Sequence, residues 1–280
     1  MSDSPELLKR LKLLESQFEK LQAARLKEAA VSKKQLAGMA KTADRLQSKI
    51  DSIYPLVREY FLTNSGVTRQ EDNAQEKLWR GTFGFDYISR HTGEDWMKSR
   101  VPIWTSILSH VPQAESFLEL GCNLGANLRA LNHLRPDAQI SGVEINPFAI
   151  DILKRETDFE TFQESLLDFS SDKRWDFVFT RGVLIHIHPD NLHRAYDKLA
   201  AASQRYVLIF ENFSPEPSVI TTYGKASPDA TTETDYAFYR DFATEFLARH
   251  EDFKTVATNF KPEDHNEKSP LLRWTVMERR

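Results

Sequence analysis

Apolar positions in the first sixty residues follow one rhythm and those in the rest follow another. Leu7, Leu11, Leu14, Phe18 and Leu21 form one run, and Leu36, Met39, Ala43, Leu46, Ile50, Ile53 and Val57 a second, both spaced alternately by three and four. That spacing predicts helices with a narrow apolar stripe, the pattern of a coiled coil. The two runs are out of phase across Arg25 to Lys34, which implies an unwinding, a bend, or a hairpin of two shorter helices. Residues 63–74 are polar and aperiodic and read as a linker. From residue 75 onward the pattern alternates. Helices are expected at Gln75–Arg90, Asp95–Val111, Gly125–Leu134, Pro147–Arg155 and Pro189–Ser203, and strands at Ser116–Leu120, Ile140–Glu144, Phe159–Gln163, Phe177–Thr180 and Tyr206–Phe210. Helix–strand alternation of this kind predicts an α/β fold, a Rossmann-like and mostly parallel sheet with helices on both faces. After an irregular stretch, Asn212 to Asp235, a helix at Tyr239–His250 precedes two strand-like runs, Phe253–Asn259 and Leu271–Glu278, that could pair antiparallel at the edge and bring the sheet to seven strands.

Composition separates the same two parts. Before Tyr54, Phe18 is the only aromatic and Gly38 the only glycine, and residues 1–62 carry 12 Lys and Arg against 8 Asp and Glu. This mildly basic arm reads as an oligomerisation or docking element, or as a helix folded back on the catalytic part, with residues 75–280 forming the globular domain. The net charge of −4 argues against a nucleic-acid binder. The single cysteine, Cys122, allows neither an intrachain disulfide nor a cysteine-rich zinc site, and no closely spaced carboxylate trio suggests another metal. With no signal-peptide pattern and no run of roughly 18 apolar residues, a cytoplasmic protein without direct membrane insertion is expected.

The chemistry concentrates in SFLELGCNLGANLRAL, residues 116–131: an apolar strand, Glu119 at its end, a turn bearing Gly121 and Gly125, then a helix. Ligands of open α/β sheets sit at the carboxyl ends of the strands beside such turns. Glu144, 23 positions after Gly121, ends the next strand, where a carboxylate can accept hydrogen bonds from both ribose hydroxyls. A dinucleotide needs a second glycine where Asn123 stands, because a side chain there crowds the pyrophosphate. S-adenosylmethionine (SAM) has no pyrophosphate, and Glu119 suits its ammonium, so the residues favour SAM. His186 and His188 follow the fourth strand and are candidate general bases for an alcohol acceptor, with the alternative that they cap or pack the next helix. Glu211, ending the fifth strand, is a second candidate by location. Tyr223, Tyr239 and Arg240 in the following region could hold a sugar or a phosphate, or simply pin a loop.

Several longer motifs narrow the reading: QEKLWRGTFGFDYISR, ELGCNLGANLRAL, GVEINPFAIDIL, FVFTRGVLIHIHPDNLHRAYDKL and YRDFA. From about Gln75 to Glu278 the chain resembles the SAM-dependent methylases associated with pseudaminic acid biosynthesis, a bacterial family of surface-glycan pathways. The resemblance implies a class I methyltransferase fold, with Glu119, Gly121, Asn123, Gly125 and Glu144 contacting the cofactor. It further implies Ser165, Leu166 and Asp168 near the adenine, Thr180, Arg181 and Gly182 near the sulfonium, and Phe83, Tyr87 and Arg90 as a lid. It implies O-methylation of a sugar or glycan, including a glycan-linked phosphate. The arm lies outside the match, and its coiled-coil spacing is what suggests a homo-oligomer or docking on a glycan-assembly protein. Small-molecule methylation in secondary metabolism, and a partner-binding protein with a silent methyltransferase fold, are the competing readings.

Overall fold

The structure is a computed structural model that describes residues 4–27, 33–64, 73–90, 97–220, 237–260 and 271–280. The chain divides into two compact units, Met1–Val67 and Thr68–Arg280.

The first unit holds two helices, α1 (Ser4–Lys27) and α2 (Lys33–Asn64), which pack against each other. Residues 28–32, within the stretch where the two apolar runs lose phase, lie outside the described residues. The stripe occupies the covered face: Leu11, Ala43 and Val57 are buried and Leu14, Phe18, Leu46 and Ile53 half-buried, whereas off-stripe Leu13 and Leu56 are exposed. Pro55 lies inside α2, where it removes one ladder hydrogen bond. Helix α2 runs on to Asn64, into the segment expected as linker, most of which lies outside the described residues.

The second unit opens with α3 (Ala74–Arg80) and α4 (Thr82–Arg90), followed by α5 (Val101–Leu108). The single helix expected over Gln75–Arg90 is broken at Gly81, which ends α3 by donating its N–H to the Lys77 carbonyl at 3.0 Å. An Asn73–Glu76 capping box starts α3: each side chain accepts from the other residue's N–H, at 3.0 and 2.9 Å. Strands β1 (Ser116–Leu120), β2 (Gln139–Glu144), β3 (Glu160–Gln163), β4 (Trp175–Arg181) and β5 (Ser203–Asn212) are linked by α6 (Ala126–Leu134), α7 (Pro147–Glu156) and α8 (Pro189–Ala202). A short pair follows, β6 (Ser218–Ile220) with β7 (Ala237–Tyr239), then α9 (Phe242–Arg249), β8 (Phe253–Phe260) and β9 (Leu272–Arg279).

The seven-stranded sheet has the order β3-β2-β1-β4-β5-β9-β8. Strands β1 to β5 are parallel and β9 pairs antiparallel with both β5 and β8, as the tail pattern suggested. Because side chains alternate along a strand, the central strands feed two cores. Phe117, Phe177, Phe179, Leu208 and Phe210 join Trp104, Leu128 and Trp274 on one face. Leu118, Leu120, Val178, Val207 and Ile209 join Leu184, Tyr196, Leu199 and Phe246 on the other. Burial on both faces is what the near-continuous apolar runs of β1, β4 and β5 require.

The chain goes outward from β1 to β3 and then crosses back to β4, so the order reverses between β1 and β4. A crevice opens at the carboxyl ends of these strands, where connections diverge to opposite sides. Gly125 shapes its floor. It adopts φ +71° and caps α6, and a Cβ there would lie 2.7 Å from a Leu153 methyl on α7. Gly125→Ala is expected to lower stability by about 1–2 kcal/mol, chiefly through the left-handed backbone, as read from chemical denaturation; an unchanged midpoint would refute that role.

Candidate functional site

A cavity of about 270 Å³ runs along the carboxyl edge of the sheet. Its lining follows the strand order. Glu164 to Leu167 come from the loop after β3, Glu144 and Ile145 from β2, Glu119 and Gly121 to Asn123 from β1, Arg181 to Val183 from β4, Asn212 from β5 and Leu272 from β9. With strands about 4.8 Å apart, the edge from β3 to β5 spans roughly 19 Å, long enough for an extended nucleoside–amino acid ligand. Asn73, Glu76, Trp79 and Tyr87 of the α3–α4 segment cover it.

At the β3–β2 end, Glu144 is buried and already organised. Its Oε2 accepts from the Asn123 N–H at 2.8 Å and its Oε1 from the Asn146 N–H at 2.7 Å. Burial pushes its carboxyl upward, while these backbone donors favour the charged form. A carboxylate has lone pairs beyond those two, so it can still accept from a ribose diol. Asn123 has φ +48° and uses its side chain to accept from the Leu124 N–H at 2.7 Å. That locks the turn in which a dinucleotide would need glycine.

Glu119, at the end of β1, is 1% exposed. Its Oε1 accepts from Asn127 Nδ2 at 2.6 Å, and Asn127 Oδ1 in turn accepts from Arg181 Nη1 at 2.8 Å and Trp104 Nε1 at 3.2 Å. The two donors on Oδ1 fix the amide's orientation and aim its NH₂ at the carboxylate. The second oxygen, Oε2, is buried with no hydrogen-bond partner. Burial pushes this carboxyl up to about 8, against the opposing pull of Asn127, Arg181 and Arg100. An unmet acceptor facing a cavity fits an incoming cation. Asn127 and Arg100 were invisible to motif reading because neither stands at a strand end.

The histidines differ from each other. His186 lines the cavity, packs at a tilt of 57° against Trp79 with ring centroids 4.8 Å apart, and loses enough solvation there to push its pKa down to about 3. It is neutral at ordinary pH and a weak base. His188 also lines the cavity, but its Nδ1 accepts from the Asp190 N–H at 3.4 Å and caps α8 before Pro189.

Of the other expected contacts, Gly121, Ser165, Leu166, Gly182 and Tyr87 line the cavity. Several do not. Gly125 serves helix entry and packing, and Thr180 is fully buried beneath the floor. Asp168 is paired with Arg194 at 3.0 Å on the surface. Phe83 packs edge-on against Trp79 at 5.1 Å, so the covering aromatics are Trp79 and Tyr87. Tyr239 packs against the core, and Arg240 pairs with Glu245 at 2.7 Å; neither reaches the cavity. Glu211 is buried beside the floor rather than exposed to an acceptor. Tyr223 and the side chain of Arg90 lie outside the described residues.

Side-chain bonds among the described residues tie down the α3–α4 cover. Asn146 Nδ2 donates to the Trp79 carbonyl at 2.9 Å, Arg80 Nη1 to the Ile145 carbonyl at 3.2 Å, and Ser165 Oγ to Glu76 Oε1. Asn146 is dual-purpose, since its Oδ1 caps α7 by accepting from the Phe148 and Ala149 N–H groups at 2.9 and 3.3 Å.

Residues 118–204, from β1 into β5, match the family model described as a methyltransferase domain. The protein is a SAM-dependent methyltransferase. Solved structures place the methyltransferase in the same fold. The 1,6-didemethyltoxoflavin N1-methyltransferase of Burkholderia thailandensis superposes with a TM-score of 0.52 at 14% identity, covering 76% of this chain and 93% of that one. The sugar N-methyltransferase of Streptoalloteichus sp. ATCC 53650 gives 0.50 at 18% identity, with 77% and 98% covered. An amino pentose methyltransferase of Micromonospora echinaspora gives 0.50 at 12%, with 70% and 97%. No curated protein matches the sequence. At these identities the structural neighbours establish fold alone.

Glu144→Ala is expected to weaken SAM binding by about tenfold or more, because it removes the ribose acceptor and strands two N–H groups that it satisfied. Titration calorimetry measures this, and an unchanged affinity would remove Glu144 from the site.

Proposed function

We propose that the methyltransferase methylates an oxygen of a sugar or glycan, including a glycan-linked phosphate, in bacterial surface-polysaccharide synthesis. The observation that carries the reading is the cavity's layout, with carboxylates at the β2 and β1 ends and a polar far end formed by Arg181, Asn212 and His188 with Leu272. In this reading the nucleoside lies at β3–β2, the amino acid portion at β1–β4 and the acceptor at β4–β5–β9, which the strand order supports. The likeness to pseudaminic-acid-associated methylases supports the acceptor class, as do the sugar N-methyltransferase and amino pentose methyltransferase among the fold neighbours. The toxoflavin-precursor enzyme among them supports the second reading, a small-molecule acceptor.

When bound, SAM supplies a methyl group activated by its cationic sulfur, so the chain's task is to align an acceptor and exclude water. Glu119 and Glu144 hold the two ends of the cofactor, and Trp79 and Tyr87 cover it. Neutral His186 accepts a hydrogen bond from the acceptor hydroxyl and aims its lone pair. A group with pKa about 3 does not deprotonate an alcohol beforehand. It takes up or relays the far more acidic proton that remains after the methyl group has transferred.

No helix among the described residues is long and apolar enough to cross a membrane. The proposed setting is cytoplasmic, with the two-helix arm serving self-association or docking on a glycan-assembly protein. Light scattering of the full chain against a chain lacking residues 1–67 tests this, and equal, monomeric masses would exclude self-association.

Labelled SAM incubated with sugar nucleotides and glycan precursors is expected to give a product heavier by one methyl group in mass spectrometry. His186→Ala should slow turnover by about ten- to a hundredfold with little change in SAM affinity. Transfer only to an unrelated metabolite would overturn the acceptor class.

A further inference from the structure

We propose that Glu211 is a positioning residue of the cofactor site, tying the loop after β4 to β5 so that Val183 closes against the glycine turn. The inference rests on the SAM reading of the cavity. Glu211 is next to last in β5, 2% exposed, and does not line the cavity. Its Oε1 accepts from the Val183 N–H at 3.0 Å. One residue earlier, the Gly182 N–H donates to the Phe210 carbonyl at 3.0 Å, so the loop is stitched to β5 at two successive positions.

What the stitch holds is one wall of the cavity. Gly182, Val183, Ile185, His186, Ile187 and His188 all line the cavity. Gly182 turns out of β4 with φ +65°, after which the chain tightens into a 3₁₀ turn, Leu184–His186. Val183 packs against the bare face of Gly121: a Cβ there would lie 2.7 Å from its Cγ2, closer than contact allows. Gly121 itself has φ +83° and lies in the turn beneath the cofactor. A shift of Val183 therefore opens a gap under the glycine turn and moves His186 with it.

The tie uses a charge. The Val183 N–H at 3.0 Å, with the neighbouring N–H groups of Leu184 and Ile185, favours the carboxylate, while its second oxygen is buried without a partner and burial pushes the group up to about 7. Other charged or titratable groups near it are engaged. Arg240 and Arg273 line a small cavity beside it, with Arg240 held by Glu245 at 2.7 Å and Arg273 by Asp241. Tyr196 of α8 donates to Glu245 at 2.9 Å, and His186 on the loop is neutral. Ionised Glu211 holds the loop by a charge-assisted bond to the Val183 N–H. As pH falls through about 7 it gains a proton and the hold weakens.

Two variants test this in the full chain. Glu211→Ala removes the acceptor, and Glu211→Gln keeps the shape and one acceptor oxygen but cannot titrate. Hydrogen exchange of residues 182–188 at one fixed pH, without cofactor, should quicken by about tenfold in the Ala variant, with intermediate rates in the Gln variant. SAM affinity, measured between pH 6 and 8.5, should be nearly equal for wild type and Gln at pH 6 and diverge several-fold in favour of wild type at pH 8.5. Taking the ratio cancels the titration of Glu119, which both proteins share. Should the Ala variant fail to fold, the Gln ratio decides. A pH-independent ratio, or wild-type exchange in a folded Ala variant, overturns the proposal. Faster exchange in a protein whose wild type binds no SAM would uphold the tie and sink the cofactor reading instead.

Discussion

Taking a carboxylate out of water is costly, and this site does it three times at the ends of adjacent or nearby strands. Glu144, Glu119 and Glu211 are all almost fully buried. Such groups are tolerated only where donors converge on them or where a ligand will supply one. Glu144 meets two backbone N–H groups from its own turn and the neighbouring one, and Glu211 meets the backbone of the loop after β4. Glu119 and Glu211 each keep one buried oxygen without a hydrogen-bond partner, and of these two only Glu119 lines the main cavity. An open acceptor that lines the cavity fits an incoming cationic group.

The parallel sheet makes this arrangement possible. Strands that all point one way deliver their last residues to a single edge, and the reversal between β1 and β4 parts the loops above it. Tertiary packing then tunes the edge. Gly121 yields its space to Val183, Asn146 joins α7 to the cover, and Asn127 passes the influence of Arg181 and Trp104 to Glu119. Each of these residues serves two elements at once, so the cavity is built from shared contacts rather than from a row of independent ligands.

Much of the fold was legible because β1 to β5 carry both the apolar runs and the turn residues that bound them. Ser116–Leu120 was read without error, and Pro147 and Pro189 marked the starts of α7 and α8. Errors arose where a local pattern was overridden. Gly81 split a helix whose apolar rhythm continued through it, and Asn212–Asp235, read as wholly irregular, contains β6, whose partner β7 begins at Ala237. Of the strand-end residues singled out, Glu119, Gly121, Glu144, Arg181 and Gly182 line the cavity. The same rule misplaced Thr180, because consecutive strand residues face opposite sides and Thr180 faces the interior while Arg181 faces the cavity.

The amino-acid order alone determined the alternating architecture, the glycine turn and the acids at the strand ends, because these depend on backbone preferences and on periods of two and 3.6 residues. Only the folded chain decided which polar groups are buried together. The weak basicity of His186, the capping role of His188 and the tie between Glu211 and Val183 all depend on neighbours remote in sequence. Desolvation and long-range hydrogen bonding have no period along a chain, so they emerge only when the elements meet.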